Sequence, residues 1–332
     1  MATSSTWRVL RSLRHDPPGF ANSKGARRTT FQAALEQSEQ FVKAAGNADY
    51  ATRAVHLFYA LSQGGRAVIA ASPRIAQDWA VTGHGLSADT NATTVADVTV
   101  YSAGDGIFQA VAKVLAFDPL VPDEKVSLGT LWPLIPETGS EPLSKQETLS
   151  ALMFDPGPWP QHGPYWGASL AWIRPHVRTE FGEDKAGLAK FFSQYPALAG
   201  VAWDARQEFR FQDLMPAGLG IDLVWELGDG DRPAILQNGS GMVAHYGSRS
   251  RDWKFITPPV GSMARPLHPV LAWWCVLLGL SSLARYEPAK WSRMIDINTS
   301  PHATAIEHIL DDAVERIPEM LQNILLNIDD PG

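Results

Sequence analysis

The stretch from Val270 to Leu283 reads VLAWWCVLLGLSSL and contains no charged residue. The uncharged run extends from Pro266 to Ala284, but it also includes two prolines, one histidine and two serines. A helix that crosses a bilayer needs about 20 mostly apolar residues, and the helical part of this run is shorter than that. The sequence therefore predicts a helix buried in the protein core, and it predicts no membrane partner.

Apolar residues recur at helical spacing on both sides of this buried helix. The predicted helices are Thr30 to Ala45, Ala51 to Ala71, Asp105 to Phe117, a short one at Ser127 to Leu134, and an amphipathic pair after Ser300 that Pro318 interrupts. Gly64 and Gly65 lie inside the second helix, where each glycine costs about 1 kcal/mol. Either the helix kinks there, or another part of the chain approaches it closely.

The middle of the chain has a different pattern. Residues 221–227 (IDLVWEL) are strand-like, and Gly228 to Asp231 and the pair Asn238-Gly239 are typical turn sequences. We therefore predict a small antiparallel β region at about 200–260, covered by helices on one side. The predicted fold class is α+β, mainly helical.

Five regions follow from these patterns. They are an irregular basic N-terminal arm (1–28), an N-terminal helical region (29–135), a Pro/Gly-rich linker (136–165), a mixed region with the small β unit (166–265), and a C-terminal helical region that packs on the N-terminal helices (266–329).

Composition restricts the classes of function. The chain has 332 residues with 45% hydrophobic and 19% charged residues, which is typical of a globular protein. A net charge of −7 argues against binding nucleic acid through bulk charge, although it does not exclude binding through a local basic patch. One cysteine, Cys275, excludes an internal disulfide and zinc sites built on paired cysteines. Its apolar neighbours favour a buried small side chain over a nucleophile.

No motif for a cofactor or a metal is present. The chain lacks a phosphate-binding Gly-rich loop, a dinucleotide fingerprint, and the usual metalloprotease and serine-hydrolase motifs. Its nine histidines have no metal-ligand spacing. We expect neither a cofactor nor a metal. The N-terminus lacks the long apolar stretch of a signal peptide, so the expected location is a reducing cytoplasm.

A resemblance to a known family rests on several stretches in order along the chain. Residues 280–291 read LSSLARYEPAKW, a pattern with an Arg-Tyr-Glu-Pro core that resembles the YaaC family of bacterial proteins. Three other stretches also resemble this family. They are residues 58–67 (FYALSQGGRA), His84-Gly85-Leu86, and Gly106-Ile107-Phe108 followed by residues 134–137 (LIPE). The family has no established activity. The resemblance implies an accessory or binding protein that acts through protein or ligand contacts in a bacterial defence or nucleotide-linked system, with a protein partner or a second copy of itself.

The N-terminal helices are also similar to HEPN domains, which are helical bundles that are often RNases. The HEPN signature is an arginine and a later histidine with four to six residues between them. Here Arg8 and His15 have that spacing, but chance alone yields one or two such pairs. An RNA-cleaving enzyme related to HEPN modules is therefore an alternative function, with tRNA and single-stranded RNA as test substrates.

Arg285, Tyr286, Glu287 and Trp291 are the first candidate ligand-binding residues. Pro288 forces the buried helix to end near Tyr286. Arg285 then either bonds the last carbonyls of that helix, with Glu287 as an ion-pair partner and Trp291 packed over the corner, or presents an anion-binding corner for phosphate or a nucleotide. On the structural reading, removal of Arg285 should cost several kcal/mol.

His84, between two glycines, is a second candidate. It is either a turn histidine or an exposed acid/base in a cleft, and a hydrolase with a site near His84 and Arg285 is a further alternative. His56 and His245 are other possible bases, and Arg66 is another possible cation and ligand-binding residue. Because these residues are far apart in sequence, we expect no Arg–His pair close together and no RNase activity.

Overall fold

The fold is described from a computed structural model. Its described residues are 3–143, 149–158, 165–182, 184–199, 212–214, 218–226, 241–248 and 251–329. They form helices and two antiparallel sheets, which confirms the predicted α+β, mainly helical class. The predicted turns at Gly228 to Asp231 and at Asn238-Gly239 lie outside the described residues.

The described helices account for most of the predicted helical segments. They are α1 Thr3–His15, α2 Ala26–Gly46, α3 Tyr50–Ala71, α4 Ile107–Leu115, α5 Leu128–Leu131, α6 Pro175–Phe181, α7 Lys185–Phe192, α8 Pro269–Tyr286, α9 Pro288–Met294 and α10 Ala303–Leu326. The prediction of an irregular arm over residues 1–28 is wrong for its first half, because that part forms helix α1. Trp7 and Leu10 bury one face of α1, and Glu39 from α2 neutralises Arg11 on it.

A three-stranded sheet lies inside the region predicted to be helical. Its strands are β1 Leu86–Asp89, β2 Thr99–Ser102 and β3 Val126–Ser127, in the order β1-β2-β3. The strands are too short to show a clear alternation in the sequence. This sheet places the turn that precedes β1 beside the start of α4.

The second sheet is larger than the predicted β region and begins earlier in the chain. It contains β4 Leu152–Pro158, β5 Tyr165–Ile173, β6 Gln212–Leu214, β7 Gly218–Glu226, β8 Ala244–Ser248 and β9 Arg251–Ile256, in the order β6-β7-β5-β4-β9-β8. All neighbouring strands are antiparallel, as predicted. Strand β4 falls within the predicted linker, because its Pro156-Gly157-Pro158 sequence imitates a loop.

Both faces of this sheet are covered, so the prediction of a cover on one side is wrong. Phe154 and Leu170 face a small core that includes Leu188 and Phe192 of α7. Tyr246 and Phe255 belong to the main core with the long helices. Trp172, which has φ +65° in a register shift of β5, also packs against the main core. The sheet therefore lies between two layers of helix.

Helix α8 is the centre of the main core. Its residues from Pro269 to Leu283 are all buried, as the uncharged run predicts. Among the described residues it is the one helix long and apolar enough to cross a bilayer, and 83% of it is buried inside the fold. It begins at Pro269, with the His268 Nδ1 accepting the Val270 N–H at 3.0 Å as the N-cap.

The two glycines of α3 mark a close approach and not a break, because α3 is continuous. A Cβ atom on Gly64 would lie 2.5 Å from Leu321 Cδ1, and one on Gly65 would lie 2.3 Å from Trp274 Cη2. The C-terminal helices α8 and α10 thus pack on α3, as predicted. Pro318 does not divide the last helix: α10 continues through it, with Ile317 and Leu321 buried on either side.

Substituting His268 by Asn should reduce the pH dependence of stability below neutral pH. Burial lowers the pKa of His268 to about 3, so the folded protein keeps this ring neutral. The unfolded chain binds a proton near pH 6.5, and stability is therefore lost as the pH falls from 6.5 towards 3, by up to about 1.4 kcal/mol per pH unit. The side chain of Asn can also accept the Val270 N–H as an N-cap, but it does not bind a proton in this pH range. Urea denaturation at pH 7, 6 and 5 should show a shallower slope for H268N, and equal slopes would contradict this assignment.

Candidate functional site

His84 lies in a turn that caps the start of helix α4. The carbonyl of Gly83 accepts the Ile107 N–H at 2.9 Å, and the carbonyl of His84 accepts the Phe108 N–H at 3.1 Å. A Cβ atom on Gly106 would lie 2.2 Å from the Gly85 nitrogen, so this close backbone contact requires glycine at position 106. The backbone of His84 thus lies in a turn that is bonded to the start of α4, as the turn-histidine alternative requires.

Arg66 anchors the chain just before this turn. From α3, its Nη1 donates to the Val81 carbonyl at 2.7 Å and its Nη2 donates to the Thr82 carbonyl at 2.9 Å. The side chain is half-buried. Arg66 therefore has a structural role and also carries a positive charge to the edge of the turn.

Arg285 reaches the same place from the C-terminus of α8. Its Nε donates to the Ser281 carbonyl at 3.2 Å, and its Nη1 donates to the Tyr59 hydroxyl at 3.4 Å. The side chain is half-buried, which confirms the prediction that it bonds a carbonyl at the helix end. Its guanidinium carbon lies 4.9 Å from the ring centre of Tyr286.

Arg285 and His84 both lie beside the same two rings of α3. The Arg285 guanidinium lies 5.8 Å from the Phe58 ring centre and 5.9 Å from that of Tyr59. The His84 ring centre lies 5.0 Å and 6.3 Å from the same two centres. Arg285 and His84 therefore share two ring neighbours, and the expectation that no Arg–His pair lies close together stays a prediction. We call Arg66, His84, Arg285 and Tyr286, with their support Tyr59, the His84 site.

The His84 site has an excess of positive charge. Burial lowers the pKa of His84, and the positive charges of Arg66 and Arg285 lower it further. The imidazole is therefore neutral at pH 7, and its Nδ1 is buried without a hydrogen-bond partner. Within the described residues no carboxylate forms an ion pair with Arg66 or Arg285. Two cations next to a neutral base have the electrostatics of an anion-binding site.

Other residues singled out in the sequence lie outside this site. Trp291 is buried, and its indole N–H donates to the Ala51 carbonyl at 3.0 Å, so it joins α9 to the start of α3. Glu287 is exposed, and within the described residues it forms no ion pair with Arg285. His56 lies beside Phe41, and His245 is an exposed residue of β8. Neither of these two histidines joins the His84 site.

The single cysteine and the side chains that could ligate a metal are two further kinds of reactive group. Cys275 is buried, and burial raises the pKa of its thiol well above the ordinary value. In the described part of the chain, no group of three or more His, Cys, Asp or Glu side chains could hold a metal ion. Sequence reasoning found His84, Arg66 and Arg285 separately. It did not assign Tyr59 a role, although the residue lies in a stretch that carries the family resemblance.

Replacing Arg285 by Gln should cost about 1 kcal/mol or less of stability. The sequence alone suggests several kcal/mol, but the structure shows no buried carboxylate that the change would leave unpaired. The lost interactions are one bond to a carbonyl, a long bond to a hydroxyl, and partly exposed contacts with rings. Urea denaturation of R285Q at pH 7 checks this, and a loss above about 3 kcal/mol would show that Arg285 is mainly a structural residue.

Comparisons with known proteins give one match. A family model described as YaaC-like Protein matches residues 6–325 of the chain. No curated protein and no solved structure matches it. A relationship to HEPN domains is not shown by these comparisons. The matched range contains every residue of the His84 site.

Proposed function

This chain belongs to the YaaC-like protein family, and we propose that it is a nucleotide-binding protein whose ligand occupies the His84 site. One observation carries the proposal: two guanidinium groups without carboxylate partners lie beside a neutral, partly buried imidazole. A bound anion would supply the missing negative charge. This function agrees with the accessory, nucleotide-linked role that the family resemblance implies.

The two arginines suit a phosphate group. Each guanidinium carries five N–H donors in a planar fork, and charge-assisted bonds to phosphate are about twice as strong as neutral ones. Arg66 and Arg285 each use two groups on protein oxygens, which leaves further donors for a ligand. Because Arg66 is fixed by the backbone it bonds, its remaining donors are ordered before any ligand binds.

Tyr286 supports the choice of a nucleotide over a simple anion. Its side chain is 69% exposed, the largest exposure among the large hydrophobic residues described. The Arg285 guanidinium holds one face of its ring at 4.9 Å. An exposed aromatic ring beside phosphate-binding groups provides a stacking surface for a base. The net charge of −7 favours a small nucleotide over a nucleic-acid polymer.

Calorimetric titration tests this function with ATP, ADP, AMP, adenosine and inorganic phosphate as separate probes. We expect R285Q to bind the nucleotides at least tenfold more weakly, a loss of about 1.4 kcal/mol. Y286A should weaken the nucleotides but not inorganic phosphate. The matched control is Lys113→Gln, which removes an exposed positive charge outside the site. The absence of nucleotide binding at millimolar concentration, or equal affinity in R285Q, would refute the proposal.

A second function, RNA cleavage, is favoured by the state of His84 itself. A neutral imidazole can accept the proton of a ribose 2′-hydroxyl, and a guanidinium can stabilise charge on the phosphate. This proposal combines the RNA-cleaving alternative with the separate alternative of a hydrolase whose site lies near His84 and Arg285. Labelled tRNA and single-stranded RNA should stay intact if the protein only binds nucleotides. Cleavage that is lost in both H84N and R285Q would favour the enzyme.

A further inference from the structure

A separate cavity lies between the loop after β1, helix α9 and the start of α10. Its volume is about 580 Å³, which is within the usual range for small-molecule sites. None of the residues that line it belongs to the His84 site. The loop is fixed to α9, because Lys290 Nζ donates to the Thr90 carbonyl at 2.8 Å. Two of the three elements that build the cavity are therefore tied together by a hydrogen bond.

The charge of this cavity is positive, opposite in sign to the net charge of the chain. Lys290 and Arg293 line it, and no Asp or Glu does. These two residues are three apart on α9, so they share a helix face. Lys290 keeps two N–H donors after its bond to Thr90. Arg293 is exposed and, in the part of the chain that the structure describes, has no ion pair or hydrogen bond through its side chain. Asp89, which lies outside the lining, interacts electrostatically with Lys290, but its carboxylate forms its ion pair with Lys125. Both cations can therefore still face one anionic group in the cavity.

The remaining polar groups of the lining are neutral and match hydroxyl groups. Asn91, Thr93 and Ser300 present one amide and two hydroxyls. The Ser300 Oγ accepts the His302 N–H at 3.3 Å, which leaves its own hydrogen free to donate. No Phe, Tyr or Trp lines the cavity, and its one aromatic ring is the smaller imidazole of His302.

We propose that this cavity binds a sugar phosphate, with its phosphate on Lys290 and Arg293 and its hydroxyls on Asn91, Thr93 and Ser300. Two cations without a carboxylate select the phosphate. Neutral donors and acceptors, together with the absence of a large Phe, Tyr or Trp ring from the lining, favour a polyhydroxylated body over a base. This proposal is independent of the nucleotide site, because the two sites share no residue.

The side chain of Met294 gives a local readout of this cavity, since it belongs to the lining. The experiment is a titration of protein carrying ¹³C-methyl methionine with ribose 5-phosphate, followed by NMR, with ribose and inorganic phosphate as separate probes. We expect the Met294 methyl signal, assigned through Met294→Leu, to shift with ribose 5-phosphate. Ribose should leave it unchanged, and inorganic phosphate should bind at least tenfold more weakly.

Two variants separate specific binding from a general charge effect. Arg293→Gln should weaken ribose 5-phosphate binding at least tenfold, because it removes one of the two cations that bind the phosphate. The variant should still fold, because the Arg293 side chain is exposed. Lys24→Gln, which removes an exposed charge elsewhere, should leave the titration unchanged. An absent Met294 shift at millimolar ribose 5-phosphate, an equal shift in R293Q, or equal affinity for inorganic phosphate would each overturn the proposal. R285Q should bind ribose 5-phosphate normally, so failure here is distinguishable from failure of the nucleotide site.

Discussion

Replacing Arg316 by Met should destabilise the protein by about 3–5 kcal/mol, because it leaves the Glu137 carboxylate buried without its cation. The Arg316 Nε lies 2.9 Å from Glu137 Oε1, and the Glu137 side chain is 7% exposed. The Tyr246 hydroxyl donates to the other carboxylate oxygen at 2.7 Å and accepts the Trp273 indole N–H at 2.8 Å. This chain of bonds connects α10, the segment before β4, strand β8 and helix α8.

The charge of Glu137 is the reason for this large effect. Burial raises the pKa of Glu137, and Arg316 opposes that shift. Methionine keeps the length and packing of the arginine stem but removes the positive charge that stabilises the Glu137 carboxylate. Urea denaturation at pH 7 measures the loss of stability. The double variant R316M/E137Q removes the Glu137 carboxylate and leaves only Glu319, the second ion-pair partner of Arg316, without its cation, so it should recover part of the loss. Equal instability of the single and double variants would show that Arg316 acts through packing alone.

Gly65→Ala should cost about 2–3 kcal/mol, even though alanine is the better helix former by about 1 kcal/mol. A Cβ atom at position 65 would lie 2.3 Å from Trp274 Cη2 and 3.1 Å from Ile107 Cγ2. Trp274 is 1% exposed and cannot move into solvent. The substitution therefore forces α3 and α8 apart at the centre of the core.

Two further variants test this explanation by urea denaturation. Gly46→Ala is the matched control, because its Cβ atom would meet only Val314 Cγ1, at an ordinary 3.8 Å. It should be neutral or slightly stabilising. Trp274→Phe removes the ring atom that clashes, so G65A should cost less in that background than in the natural sequence. Equal costs in the two backgrounds would contradict the close approach of α3 and α8.

Sequence alone predicts the elements whose signal is local. Helix α8 follows from its uncharged run, and α3 follows from its apolar period. Helix α1 was missed because its arginines suggest a solvated arm, whereas Glu39, which neutralises Arg11, is 28 residues away. Strand β4 was missed because Pro156, Gly157 and Pro158 resemble a loop until pairing with β5 and β9 is known. Tertiary partners decide these elements, and the local pattern does not contain them.

The candidate site shows the same limit. His84 and Arg285 could each be selected from their own neighbours, one between two glycines and the other at a proline-terminated helix. Their proximity could not be predicted, since it depends on Phe58 and Tyr59 of a third helix contacting both. The glycines at positions 64 and 65 set how closely α3 packs on the C-terminal helices, and thereby position those rings.

The pKa of His84, measured by NMR on protein with ¹³C-labelled histidine, tests the central claim most directly. We predict a pKa below the ordinary value of about 6.5 in the natural protein, because burial and the two arginines disfavour the charged ring. The pKa should rise in R285Q, and it should also rise when ADP binds, because the phosphates neutralise the cations. A His84 pKa at or above 6.5 that neither R285Q nor ADP changes would contradict the account.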